Sequence, residues 1–195
     1  VRFVGNRSSG KTGVLLADAC AARGAKVTLV TGPTHEKVKD HHIEVISVET
    51  ALEMYAAVQA NWAQIEIGIF SAAVADYRPA APETEKIKKK TPQMAIDLVK
   101  NPDILSWAGA NKAEQQYLVG FALETNNEIE NAQGKFECKN LDLLVLNSLK
   151  DKGAGFGHET NKVTLIKHNN KLINFELKMK SNVMNDILDE IERDH

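Results

Sequence analysis

The apolar positions of this chain change period along its length, and each change marks an element. Residues 2–5 are an apolar run closed by glycine, and a helix is predicted over 10–23, ended by Gly24. A strand over 26–31 completes a strand, glycine loop, helix, strand opening. A short strand follows at 44–48, and Thr50 with Glu53 three residues later forms a capping box. Leu52, Tyr55, Val58 and Trp62 then recur at helical spacing. Residues 65–71 are nearly unbroken apolar, the pattern of a strand covered by helices on both faces. Beyond them, Met94, Ile96 and Leu98 alternate in an extended segment over 93–99.

In Asn101-Pro102-Asp103, Asn101 reads as an N-cap, Pro102 as the first helical residue and Asp103 as a first-turn acid. A buried strand over 117–123, a helix over 127–139 and a strand over 142–146 continue the alternation. The end differs: segments 162–167 and 172–177 flank His168-Asn169-Asn170-Lys171 as a hairpin. The helix after Ser181 places Val183, Met184, Ile187, Leu188 and Ile191 on one face, with Asp186, Asp189 and Glu190 opposite. The pattern predicts a three-layer, Rossmann-like α/β sheet flanked by helices, with a C-terminal β-hairpin and final helix. The loosest stretches are 79–92 and 151–161.

Composition narrows the class. A chain of 195 residues fits one domain, because a single core grows to about 250 residues before splitting. With 43% hydrophobic residues, 26% charged residues and a net charge of -2, no general nucleic-acid binder is indicated, so any anion site must be local. Cys20 and Cys138 stand far apart without metal-type spacing, which points to a reduced, cytoplasmic compartment. No apolar run approaches the roughly 20 residues of a membrane span. The apolar Val1-Arg2-Phe3-Val4 start reads as mid-strand, as expected of a piece of something longer.

Candidate chemistry clusters in two places. Gly5-Asn6-Arg7-Ser8-Ser9-Gly10-Lys11-Thr12-Gly13 leads from strand to helix, where free N–H groups and the helix dipole favour phosphate. Residues 5–12 also satisfy G-x-x-x-x-G-K-[ST], the Walker A pattern of P-loop NTPases. No later apolar strand ends in the acid such enzymes need, and a glycine turn required only for packing is the plainer alternative. The second place is the small-residue turn after residues 65–71, followed by Asp76 and then Lys86, Lys88, Lys89 and Lys90. A lysine run is ordinarily a solvated face. This one follows the carboxyl end of a central strand, where open α/β sheets bind ligands. Asp76 alone reads equally as a turn residue, and Lys135 with Lys139 as an exposed i,i+4 helix face.

Taken in order, Asn6-Arg7-Ser8-Ser9-Gly10, Ala72-Ala73-Val74-Ala75-Asp76-Tyr77-Arg78, Lys86-Ile87-Lys88-Lys89, Lys100-Asn101-Pro102-Asp103-Ile104, Val119-Gly120-Phe121-Ala122, Lys139-Asn140-Leu141-Asp142 and Gly155-Phe156-Gly157 resemble the bacterial phosphopantothenoylcysteine synthetase family over nearly the whole chain. The resemblance implies a ligase joining 4'-phosphopantothenate to cysteine through an acyl-cytidylate made from CTP, with Mg2+ or another divalent cation. In many bacteria such domains are fused to a flavin-dependent decarboxylase, and they pair as homodimers. It further implies that Ser8, Gly10 and Gly13 cradle the triphosphate, that Asn6 holds the acyl group, and that Lys86 closes on the phosphates. Ala72, Ala73 and Asp76 would lie against nucleotide or pantothenate, with Pro102, Asp103, Ile104, Leu105, Phe121, Lys135 and Lys139 completing the nucleotide pocket. Thr12 departs from the methionine common in the family and Arg7 from the histidine. A nicotinamide-dependent reductase fits less well, because the loop lacks G-x-G-x-x-G and Val30-Thr31-Gly32 offers no acid for a ribose. A non-catalytic nucleotide-binding module is the remaining alternative.

Overall fold

The computed structural model of the chain describes residues 3–83, 85, 87–88, 93–124, 126–148 and 160–195. Lys86 and the Gly155-Phe156-Gly157 motif lie outside these residues. Helix α1 (Lys11–Ala22) leads to β1 (Thr28–Thr31) and the parallel β2 (Glu44–Ser47). Helix α2 (Ala51–Trp62) precedes β3 (Ile67–Phe70), and the small strands β4 (Tyr77–Pro79) and β5 (Leu98–Lys100) pair antiparallel. Helix α3 (Ile104–Ala110), β6 (Tyr117–Glu124), α4 (Glu128–Cys138) and β7 (Leu143–Ser148) follow. The chain ends with β8 (Thr160–Asn161), β9 (Val163–Lys167), β10 (Lys171–Asn174), β11 (Lys178–Met179) and α5 (Lys180–Asp194).

The main sheet runs β10-β9-β7-β6-β3. Strands β3, β6 and β7 are parallel, while β9 and β10 run antiparallel. The period-2 pleat divides its residues between two cores. On one face Tyr117, Val119, Leu143, Val145, Val163 and Leu165 pack against Leu16 of α1 and Val183, Met184, Ile187, Leu188 and Ile191 of α5. On the other, Leu118, Ala122, Leu144, Leu146 and Ile166 meet Trp62 of α2, Ala108 of α3 and Ala132 and Phe136 of α4. Each fully buried aliphatic side chain contributes about 1.5–3 kcal/mol. The result is the three-layer arrangement expected from the sequence.

Local signals hold where chemistry is short-range. Thr50 accepts from the Glu53 N–H at 3.1 Å, and the Glu53 carboxylate accepts from the Thr50 N–H at 3.2 Å. The hairpin turn places Asn169 and Asn170 at positive φ, which asparagine tolerates better than most residues.

Four expectations are corrected. Residues 3–9 carry no strand: the Phe3 ring turns back over Gly5, where a Cβ would meet it at 3.3 Å, instead of extending into a ladder. Strand β3 is an edge strand of the main sheet, so Ile67 is exposed rather than covered. Leu52 is likewise exposed, and α2 packs through Trp62 and the half-buried Val58. Finally, Glu190 is buried with the apolar face of α5, because Lys167 reaches it at 3.1 Å and Asp194 at 2.6 Å. Burial alone would raise the Asp194 pKa, but hydrogen bonds from Lys167 and the Tyr117 hydroxyl outweigh it and hold it below the usual carboxylate value.

Helix α3 and the end of α4 approach closely enough to require glycine. A Cβ on Gly109 would lie 1.9 Å from the Lys139 carbonyl oxygen, while the Asn140 side-chain amide donates to the Gly109 carbonyl at 3.0 Å. Gly109→Ala is expected to cost about 3 kcal/mol through this backbone overlap. Urea unfolding checks it, and an unchanged midpoint would contradict the fit.

Candidate functional site

The carboxyl end of β3 opens into residues 71–76, and the first turn of α1 packs beside it. A Cβ built on Gly13 would stand 3.6 Å from Ser71 Oγ, which places the helix start against the end of the strand. The first N–H groups of a helix lack intrahelical partners, so this terminus can receive phosphate oxygens. Gly10 precedes it with φ +77, in the left-handed region. A side chain there would also strike Thr34 Oγ1 at 2.8 Å, so backbone geometry and space both require glycine. Thr34 donates its hydroxyl to the Ser9 carbonyl at 2.6 Å, fixing the loop from the side. Ser8 is exposed on the same loop.

Asn6 links the two segments. Its side-chain amide donates to the carbonyls of Val74 at 3.2 Å and Ala73 at 3.4 Å. A cleft of about 210 Å³ next to this contact is lined by Val4, Gly5, Asn6, Ala75, Asp76, Tyr77 and Leu98. Ala72 and Ala73 lie on the connecting turn, whose small side chains leave the backbone approachable.

Asn101 makes the second link, in a role different from its expected one. It is buried, its backbone N–H donates to the Asp76 carbonyl at 2.7 Å, and its side-chain amide donates to the Ala75 carbonyl at 2.8 Å. Its side-chain oxygen accepts from Arg78 at 3.2 Å, and Arg78 also donates to the Lys100 carbonyl at 2.7 Å. With Asn101 so engaged, Asp103 caps α3 instead, accepting from the Ser106 N–H at 2.9 Å. Pro102 therefore precedes the helix. One sequence signal was available: an N-cap sits directly before the first apolar residue of the helical pattern, and that residue is Ile104.

Asp103 extends the assembly to α4, because Lys139 Nζ lies 2.9 Å from its carboxylate. Burial alone would raise the Asp103 pKa, but the hydrogen bonds from the Ser106 N–H and Lys139 prevail and hold it below the ordinary value. One turn earlier on α4, Lys135 pairs at 2.6 Å with Glu124 at the end of β6. Sequence reasoning passed over Glu124 and Thr34 and gave no role to Arg78, because their contacts are distant in sequence. Ile104 is buried and Leu105 packs in the second core beside Gly120, so these two offer a ligand backbone more than side chain. Phe121 is half-buried against the first core.

The expected residues thus gather around one region: Asn6, Gly10, Gly13, Ala72, Ala73 and Asp76 near α1, with Pro102, Asp103 and Lys139 joined through Asn101. The Asp76 carboxylate has no hydrogen-bond or ion-pair partner among the described residues and is suited to a donor group or a divalent cation. The Walker A alternative finds no support, since among the described residues no strand leads into the loop and β3 runs into Ser71.

The family model for the DNA/pantothenate metabolism flavoprotein C-terminal domain matches residues 1–194. A cysteine/cysteine sulfinic acid decarboxylase from an unknown prokaryote is 49% identical over 191 residues, 98% of this chain and 53% of that protein. The Escherichia coli K12 coenzyme A biosynthesis bifunctional protein CoaBC is 46% identical over 168 residues, 85% of this chain and 41% of that protein. This chain therefore spans about half or less of those relatives. Among solved structures, the C-terminal domain of a CoaBC protein superposes with a TM-score of 0.83 at 35% identity, covering 99% of this chain and 86% of that one. A Cab2 mutant in complex with phosphopantothenate-cysteine shares the fold, with a TM-score of 0.73 at 16% identity and coverage of 99% and 81%.

The Asp103–Lys139 pair has a testable signature. A carboxylate whose folded pKa is depressed adds stability above its unfolded pKa and loses it as pH falls through the folded value. Asp103→Asn keeps a capping oxygen but removes the charge. The variant should be less stable by at most about 1 kcal/mol, since the pair is partly exposed. The deficit should be full above about pH 4 and disappear below it. Denaturant midpoints across pH check this, and a deficit independent of pH would assign the loss to capping alone.

Proposed function

This chain belongs to the DNA/pantothenate metabolism flavoprotein C-terminal domain family, and we propose that it ligates 4'-phosphopantothenate to cysteine with CTP as the activating nucleotide. The observation that carries the reading is the joining of the glycine cradle, the 72–76 turn and the α3 start by Asn6 and Asn101. Three of the motifs that resemble phosphopantothenoylcysteine synthetases, at 6–10, 72–78 and 100–104, contribute residues to that junction. The name of the 49% identical relative describes a decarboxylase, but this chain matches only 53% of it, so the name gives the matched half no activity.

The chemistry explains the parts. A carboxylate is a poor acyl donor because oxide leaves badly, so it must first be activated. One carboxylate oxygen attacks the α-phosphorus of CTP and pyrophosphate departs, leaving an acyl-cytidylate. The cysteine amine then attacks the acyl carbon, loses a proton and expels CMP, forming the amide. Negative charge develops on phosphate oxygen in the first step and on carbonyl oxygen in the second. Preorganised donors stabilise such charge most effectively. Ser8, Gly10, Gly13 and the α1 terminus would cradle the phosphates, and Asn6 would hold the acyl group with its amide. Ala72 and Ala73 would let nucleotide or pantothenate lie against the turn, and Asp76 would accept from it. Pro102, Asp103, Ile104, Leu105, Phe121, Lys135 and Lys139 would complete the nucleotide pocket. A divalent cation would neutralise phosphate charge, as metals do in phosphoryl transfer.

The wider proposals rest on the same family reading. The chain would function in the cytoplasm, joined to or working with a flavin-dependent decarboxylase that consumes its product. It would act as a homodimer, for which the small β4–β5 arm is suited. Tyr77, Met94, Ile96, Leu98 and Val99 are all exposed on and beside that arm, an apolar surface a second copy could cover.

Incubating the protein with phosphopantothenate, cysteine and Mg2+ should yield equal amounts of pyrophosphate and amide with CTP, and much less with ATP. Lys86→Gln should lower kcat by about 100-fold, the scale of losing one charge-stabilising donor, with an unchanged melting temperature. Wild-type turnover in that variant would make the lysine run mere surface charge. Nucleotide hydrolysis without amide, dependent on Lys11, would overturn the ligase reading.

A further inference from the structure

The connection between β1 and β2 ends in Asp40-His41-His42, three potential metal ligands that the ligase reading does not use. One ligand atom from each lies within 4.8 Å of the other two. One edge, Asp40 Oδ1 to His42 Nδ1, measures 3.0 Å. Two donor atoms bound to one ion at about 2.0–2.1 Å stand roughly 2.9–3.4 Å apart, depending on whether the geometry is octahedral or tetrahedral. This edge therefore already has the length of a coordination edge. The His41 and His42 rings are 3.9 Å apart between centroids, and both are exposed, so His41 can rotate to close the remaining edges.

The surrounding backbone holds the triad in place. The His42 N–H donates to Asp40 Oδ1 at 2.9 Å, orienting the carboxylate as an outer-shell donor would. On one side, the Lys39 N–H donates to Asp18 of α1 at 2.7 Å. On the other, Ile43 is buried and the Glu44 N–H donates to the Val27 carbonyl at 3.0 Å. Three residues thus bridge two fixed points, which lowers the ordering cost of chelation. The simpler view of the Asp40–His42 contact as a turn-closing hydrogen bond explains that pair, but not the second imidazole, which brings a ligand atom within 4.8 Å of both.

We propose that Asp40, His41 and His42 form a surface site for a divalent transition metal of the zinc class, with open positions facing solvent. Two imidazoles and one carboxylate select borderline ions such as Zn2+, whereas Mg2+ prefers oxygen ligands and retains its water. On binding, His42 coordinates through Nδ1 and carries its proton on Nε2. The ion braces the connection between β1 and β2. The site stands apart from the ligase reading and does not depend on it.

Calorimetric titration of the whole chain with ZnCl2 should show one equivalent bound, and the same titration with MgCl2 should show none at this site. His41→Ala, His42→Ala and Asp40→Asn should each weaken zinc binding by about 10- to 100-fold or more. His35→Ala and His168→Ala should leave it unchanged. His41→Ala is the decisive variant, because this exposed side chain has no hydrogen bond in the turn and its loss should not alter the melting temperature without zinc. Absence of zinc binding, equal binding in the triad variants, or equal loss in the two controls would overturn the site.

Discussion

The candidate site depends on one buried amide. Asn101 fixes the 72–78 turn to the start of α3 by donating twice to that turn, through its backbone to Asp76 and its side chain to Ala75, and by accepting from Arg78. A buried amide left unpaired costs about 1–3 kcal/mol, so these hydrogen bonds act together. They also set the roles of the next two residues. With Asn101 turned back, Pro102 sets the chain direction and Asp103 is left to cap α3 and meet Lys139. One residue thereby joins the end of β3, the start of α3 and the end of α4.

Electrostatics in the same region is arranged in pairs. Lys139 rests on Asp103 and Lys135 on Glu124, so the lysines in and just after the last turn of α4 carry carboxylate partners without any ligand. On the proposed reading, incoming phosphate competes with those carboxylates for the ammonium groups. Part of the binding energy then goes into exchanging one anion for another, which favours a highly charged ligand over a neutral one. The glycine cradle offers backbone N–H groups at a helix terminus instead of ion-paired side chains, although the Lys11 N–H already donates to Ser9 Oγ at 3.3 Å. The two sides of the site thus differ: one presents backbone donors, and the other carries internal ion pairs.

What could be read from the sequence was set by range. The Thr50–Glu53 box, the asparagine turn of the hairpin and the apolar face of α5 are decided within a few residues, and they fold as expected. The turn at Gly10 and the helix start after it read correctly too, because Gly10 must adopt a conformation other residues avoid. Strand burial was harder, since whether β3 lies at an edge is decided by its neighbours and not by its own apolar run. Glu190 read as solvent-facing because its partner, Lys167, lies on another element. Asn101 and Asp103 both had plausible capping chemistry, and only the carbonyls of Ala75 and Asp76 decided between them. Asn6 and Asp76 were singled out from the sequence, whereas the contacts of Glu124, Arg78 and Thr34 were not, because they are visible only once distant segments meet.

If the segments joined through Asn6 and Asn101 form one nucleotide site, a nucleotide must perturb them together. Backbone amide chemical-shift mapping on titration with a non-hydrolysable CTP analogue examines this without relying on turnover. Saturable shifts are expected together at Gly10–Gly13, Ala72–Asp76, Asp103–Leu105 and Phe121, with Asn101 among the most affected. Shifts confined to one of these segments, or located instead around Leu29 and Val45 on the β1–β2 pair, would contradict a single site.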